Sequence, residues 1–238
     1  MIISLLIFGL AMAQDQIKVT YEVQPYYNPA DNKFSGFDMS FKSSNFELIS
    51  DSKESQFDYI EKISNEQPKE SGISMSIEVR SDGTLYKNLD ESLILEETDF
   101  EGKHYLVKDT FSEIDWKISK ETKNIAGFDC YKATATLDDN YKAEVTAWYS
   151  PKLTFKNGPD EFWGLPGLIL EVETNIKHES GATDGAIYTA QKVETLTKTK
   201  KISRPTKGKE ISREEFSKMQ KAHFEKMMEM YSEGVDKD

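Results

Sequence analysis

Apolar and polar residues alternate with a period of two through most of this chain, and a helical period replaces the alternation only near the end. Ile17, Val19, Tyr21 and Val23 alternate with Lys18, Thr20, Glu22 and Gln24, the pattern of a strand with one buried face. Pro25 to Ser44 mixes aromatic residues with Asn, Pro, Gly and Lys and reads as loop with partial strand. Phe46–Ile49 is the next expected strand, whereas the surroundings of Glu54-Ser55-Gln56-Phe57 suit a strand or a short helix equally. Asn65 to Ser71 is polar and breaks the pattern. Ile73, Met75, Ile77 and Val79 alternate again, and Ser81-Asp82-Gly83-Thr84 supplies turn chemistry, which predicts a hairpin with Leu85–Leu89.

Further strands are predicted at Leu93–Glu96, Tyr105–Lys108 and Asp115–Ser119, with Glu101-Gly102-Lys103 as a turn between the first two. In the last of these, Ile114, Trp116 and Ile118 point one way. Phe128–Leu137 and Tyr141–Tyr149 flank Asp138-Asp139-Asn140 as a second hairpin, and strands from Leu168 and over Ala186–Leu196 complete a run of roughly ten. From Ser212 the period becomes helical. Ser212 and Glu215 form a capping box, and Phe216, Met219, His223, Met227 and Met230 make an apolar stripe to about Glu233, with Phe224, Met228 and Tyr231 beside it. The fold expected is mainly β: a curved antiparallel sheet or half-barrel closed by a C-terminal α-helix.

Trp163-Gly164-Leu165-Pro166-Gly167-Leu168-Ile169-Leu170, preceded by Gly158-Pro159, is a run without charge. Pro166 fixes its own φ and pushes Leu165 toward an extended backbone, so the run reads as a rigid turn feeding a strand. It serves either to set strand register or to contact a ligand or partner. The hexamer Gly164–Ile169 spells the motif that names the GLPGLI family of exported proteins from Bacteroidetes-type bacteria. Gly127–Ala133, Ala147-Trp148-Tyr149-Ser150-Pro151, Gly158-Pro159, Pro205–Ile211 and Glu214-Glu215-Phe216 resemble that family's other fixed points in the same order. The resemblance implies an envelope or secreted location and leaves the activity open.

Charge and the first residues agree with that expectation. A net charge of −12 argues against nucleic acid, which needs concentrated Lys and Arg. Ile2–Leu10 is an apolar run of signal-peptide length and Ala11-Met12-Ala13 is a small-x-small cleavage site, so export with a cut before Gln14 is expected. No Lys or Arg precedes the run, a departure that leaves the true translation start open. No later stretch approaches the ~20 apolar residues of a transmembrane helix. The organisation expected is a signal peptide over 1–13, a β domain over 14–197, a basic linker over 198–210 and the helix and tail over 211–238. Cys130 stands alone and is expected to be buried rather than bridging or reactive.

Motifs of catalysis are missing: the histidines at 104, 178 and 223 are scattered, and there is no phosphate cradle or nucleophile elbow. An enzyme is not expected, nor a cofactor. Met219, His223 and Met227 at helical spacing could offer soft ligands to copper(I), though methionines on such a stripe ordinarily pack. Trp148 points away from the face of Val145 and Ala147, so it either covers a second face or lines a cleft. The site expected comprises Trp148, Pro159, Trp163, Gly164, Leu165, Pro166, Gly167, Leu168 and Ile169. The function expected is a soluble, monomeric, periplasmic or secreted protein that binds or carries an apolar ligand or an envelope partner. By analogy of fold alone it would work as periplasmic lipoprotein carriers do; an envelope enzyme or a metal-handling protein is the alternative.

Overall fold

The computed structural model describes residues 16–29, 38–61, 74–77, 83–137 and 142–235. The expected leader, the polar break at Asn65–Ser71 and the Asp138–Asn140 turn lie outside them.

The strands, in chain order, are β1 (Ile17–Asn28), β2 (Asp38–Phe41), β3 (Ser44–Ser50), β4 (Glu54–Ile60), β5 (Ser74–Ile77), β6 (Thr84–Asn88) and β7 (Leu93–Phe100). They continue as β8 (Lys103–Thr110), β9 (Lys117–Ile125), β10 (Phe128–Thr136), β11 (Glu144–Ser150), β12 (Leu168–Lys177), β13 (Thr183–Thr195) and β14 (Lys209–Ser212), before helix α1 (Arg213–Val235). Twelve of the strands form one open sheet in the order β14-β8-β7-β6-β4-β3-β1-β13-β12-β11-β10-β9. The sheet is antiparallel except where β14 runs parallel to β8. The mainly β, curled-sheet architecture read from the alternation is therefore the one observed.

The first strand lies in the middle of this sheet. β1 pairs with β3 through Ile17↔Ser50 to Val23↔Ser44, and with β13 through Ile17↔Thr195 to Asn28↔Thr183. It joins an early run of strands to a late one. The alternation that marks it in the sequence is the reason: Ile17, Val19, Tyr21 and Val23 are each fully buried, while Lys18, Thr20 and Glu22 keep partial contact with water. Such a strand can be paired along both edges and still expose polar groups on one face.

Three expectations are corrected. Ile73–Val79 and Leu85–Leu89 do not pair as a hairpin: β5 lies parallel to β2 in a separate two-stranded sheet, and β6 lies between β4 and β7. Alternation marks a strand without naming its partner, and Leu85 reaches its buried place opposite Phe57 of β4. The stretch expected as a strand over Asp115–Ser119 starts at Lys117 and continues to Ile125, because Trp116 turns aside to bond the carbonyl of Trp163. Glu54–Phe57, equally balanced in sequence, is strand.

The third correction concerns the linker. Lys209 and Glu210 belong to β14, and the residues before them are strapped to the sheet. Gln16 exchanges two hydrogen bonds with the backbone of Lys200, at 2.7 and 2.8 Å. The Ser203 N–H donates to Gln56 and Arg204 pairs with Glu91. Ile202 packs on Tyr86, Leu93, Leu95 and Leu106, and Pro205 is buried. Hydrogen bonds, an ion pair and two apolar residues together hold this otherwise basic run down.

The capping box forms in both directions. The Glu215 N–H donates to Ser212 Oγ at 3.2 Å and the Ser212 N–H donates to Glu215 Oε2 at 3.3 Å. The start of α1 docks on the sheet: Phe216 is buried against Tyr105 and Val107, with Phe100, Ile211 and Met219 around it. His223 stacks edge-on to Phe100 and bonds Glu101, and the described helix residues around it are exposed.

At the far end of the sheet β9 has no further strand beside it among the described residues. It carries Lys117, Lys120 and Lys123, and its register against β10 slips between Tyr131 and Ala133.

Candidate functional site

Between β11 and β12 the chain makes a detour, residues 151–167, that folds back over the buried face of the sheet. Leu153, Phe155, Phe162 and Leu165 join the main core cluster with Tyr21, Phe46 and Tyr188. The face that a ligand carrier would keep open is filled here by the protein's own loop.

The loop is fixed by backbone bonds first. The N–H of Leu168 donates to the Leu153 carbonyl at 2.9 Å and that of Ile169 to Asn157 at 3.0 Å. The N–H of Gly164 donates to Lys156 at 3.2 Å, and Asn157 and Trp163 face each other as an antiparallel bridge. At the tip the N–H of Phe162 returns to the Pro159 carbonyl, closing a tight turn over residues 159–162.

Side chains from distant strands then hold the tip. Lys87 of β6 is fully buried, and its ammonium donates to the carbonyls of Gly158 at 2.9 Å and Phe162 at 3.1 Å. A lysine suits this place because its several donors can serve two carbonyls at once. Burial pushes its pKa down from 10.5 to about 7, against the opposing pull of Asp160 and Glu161. Asn157 donates to Ser50 Oγ at 3.1 Å, and the Tyr188 hydroxyl donates to Asp160 at 2.7 Å. Arg213, at the start of α1, donates to Glu161 at 2.8 Å and to Glu96 of β7 at 2.6 Å.

Beyond the tip the motif reaches the surface. Trp163 stacks on Phe111 at 4.6 Å between ring centres and donates through Nε1 to the Ser112 carbonyl, while Trp116 Nε1 donates to the carbonyl of Trp163 at 2.9 Å. These contacts frame a cleft of about 590 Å³ with Glu113, Ile114, Asp115, Trp116 and Ile118 on one side and Gly164, Leu165 and Pro166 on the other. Ile118 is 53% exposed there, one of the two large apolar side chains most open to water among the described residues.

Glycine is needed at both motif positions, for different reasons. Gly164 has φ +92°, in the left-handed region that side chains disfavour, and an added Cβ there would only touch the Trp116 ring at an ordinary contact distance of 3.8 Å. At Gly167 an added Cβ would sit 2.3 Å from the Ser150 carbonyl oxygen, so the backbones of two adjoining strands can meet only without a side chain.

The nine residues expected to form the site are thus separated by the fold. Gly164, Leu165 and Pro166 line the cleft, and Trp163 braces it. Pro159, Gly167, Leu168 and Ile169 are buried beneath it. Trp148 is elsewhere: its ring lies 4.5 Å from Lys123 Nζ and 6.0 Å from Lys132 Nζ, on the face opposite Ala147. The opposite wall, from Glu113 to Ile118, was visible in the sequence as the alternation of Ile114, Trp116 and Ile118. Lys87 and Arg213 carried no such signal, except that Lys87 stands where the Leu85 face calls for an apolar residue.

Cys130 is buried, and burial raises its thiol pKa to about 11. The His223 ring already bonds Glu101, Met219 packs beside Phe216, and the side chain of Met227 lies outside the described residues. Among the described residues no helix is long and apolar enough to cross a membrane.

Fold and site together describe an open β-sheet protein with a loop-filled face and a surface cleft at the loop's exit. Residues 136–171, which contain the detour and the motif, match a family described as protein of unknown function (Porph_ging). No curated protein sequence matches the chain. Among solved structures PNGF-II superposes with a TM-score of 0.52 at 16% identity, over 86% of this chain and 32% of that one. MucB gives 0.40 at 9% identity over 83% and 60%, and the LolA superfamily protein NE2245 from Nitrosomonas europaea 0.35 at 10% over 78% and 88%. This chain spans about a third of the length of PNGF-II, and what the two share at this identity is the fold.

Proposed function

We propose that this is an exported, non-enzymatic protein of the cell envelope, of the GLPGLI type. It holds an apolar part of a ligand or partner protein in the cleft between residues 113–118 and Gly164–Pro166. The observation that carries the reading is Ile118, which stands half in water on the wall of a cleft shared with Trp116, Leu165 and Pro166. A cleft of this size falls in the range of small-ligand sites, and walls already fixed by hydrogen bonds lose little entropy on binding. The lining sets two carboxylates, Glu113 and Asp115, beside these apolar side chains. The apolar leader and the GLPGLI resemblance support the envelope location.

The test is a photo-reactive benzoylphenylalanine placed at Ile118 in the full-length protein in producing cells, with a second at Tyr131, an exposed aromatic outside the cleft lining, as control. A single adduct from position 118, absent from position 131 and abolished by Pro166→Asp, is the expected result. No adduct from position 118, with the protein folded and exported, overturns the reading.

A further inference from the structure

Arg213 is the first residue of α1, yet two strands and the motif loop share its guanidinium. Nη1 meets Glu96 of β7, Nη2 meets Glu161 of the loop, and Nε lies 3.7 Å from Asp109 of β8. The arginine side chain is 25% exposed and that of Glu96 only 7%, so solvent and salt screen this pairing less than they would at the surface. Anchoring the helix would need only the carboxylates of the strands on which it rests. Glu161 brings in something else: it sits in the 159–162 turn, between the two carbonyls that Lys87 grips and three residues before the cleft wall begins. Among its described side chains the helix meets the sheet through Phe216 and the contacts around it, and through His223 on Phe100 and Glu101.

We propose that Arg213 is a latch coupling the docking of α1 to the shape of the cleft, so that lifting the helix from β8 loosens the 159–162 turn and moves the Gly164–Pro166 wall. The regulatory meaning rests on the cleft being the binding surface, whereas the coupling stands on its own. Coupling of this kind is reciprocal: whatever tightens the cleft tightens the helix by the same factor. A partner that takes hold of α1 would then release what the cleft holds.

Hydrogen exchange of the full chain tests this without any ligand. Phe216→Ala loosens the helix without touching the loop, and should speed exchange of the Phe162 and Gly164 amides about tenfold while those of β12 and β13 keep their rates. Glu161→Gln, made in the loop, should speed exchange in the first turn of α1. Acceleration confined to residues 209–226 in the first variant, or to the loop in the second, overturns the latch. If Phe216→Ala also speeds β12 and β13, it has unfolded the sheet, and the milder Phe216→Leu is scored in the same two regions by the same criterion. Coupled exchange without cross-linking at Ile118 would sink the binding reading and keep the latch; cross-linking with uncoupled exchange would do the reverse.

Discussion

The two motif glycines separate strain from collision, and alanine at each should cost differently. Gly164→Ala meets the Trp116 ring at ordinary contact distance and loses only the left-handed preference, about 1 kcal/mol. Gly167→Ala drives a methyl group into the Ser150 carbonyl and should cost about 3 kcal/mol, near the upper range for overpacking. Urea unfolding of both variants checks this, and equal losses would remove the distinction. Lys87 carries a second prediction at this scale. Its folded pKa, about 7, lies below the ordinary 10.5, so between those values the unfolded chain binds a proton that the folded chain has released. Stability contributed by this group therefore rises with pH from about 7 toward 10.5, and the cost of burying the charge is felt in full below that window. Lys87→Met should be less stable than the parent, because two carbonyls lose their donor. It should also lack this rise, so the gap between parent and variant widens from pH 7 to pH 9.5. A gap that stays constant would show that Lys87 is not the group responsible.

At the scale of elements, strands were legible wherever one face is buried and the other wet. β1, β3 and the hairpin of β10 with β11 stood where alternation placed them, and the helix began at its capping box. Three features escaped. The pairing of β6 with β4 was hidden because the period of a strand says nothing about its neighbour. β14 was hidden because Lys209-Glu210-Ile211-Ser212 has one apolar residue, and parallel pairing with β8 supplies what its own pattern does not. The detour over residues 151–167 was hidden because its apolar residues follow no period, being placed by the cavity they fill. The motif turn itself was readable as a turn feeding a strand; the cleft was half readable, since its far wall comes from residues some fifty positions earlier that only the fold brings near.

Taken whole, the molecule closes late. Its first strand waits for β13, and the bond between Ile17 and Thr195 spans most of the chain. Ordering so long a loop before any contact rewards it slows folding, so refolding from urea should take seconds or longer, in the slow range of proteins dominated by distant pairings. Stopped-flow fluorescence of the tryptophans measures this, and recovery within a millisecond would contradict it. The two ends of the open sheet answer a different hazard. An unfinished row of backbone donors and acceptors invites a second molecule to continue it, and repetition of that contact would build fibres. On β9 the lysines at 117 and 120 and the slipped register spoil the template, while β14 at the other end offers only four residues before the helix turns away. An acidic protein thus keeps a basic fringe where it is most open to polymerising, and concentrated solutions should stay clear for as long as those charges are kept.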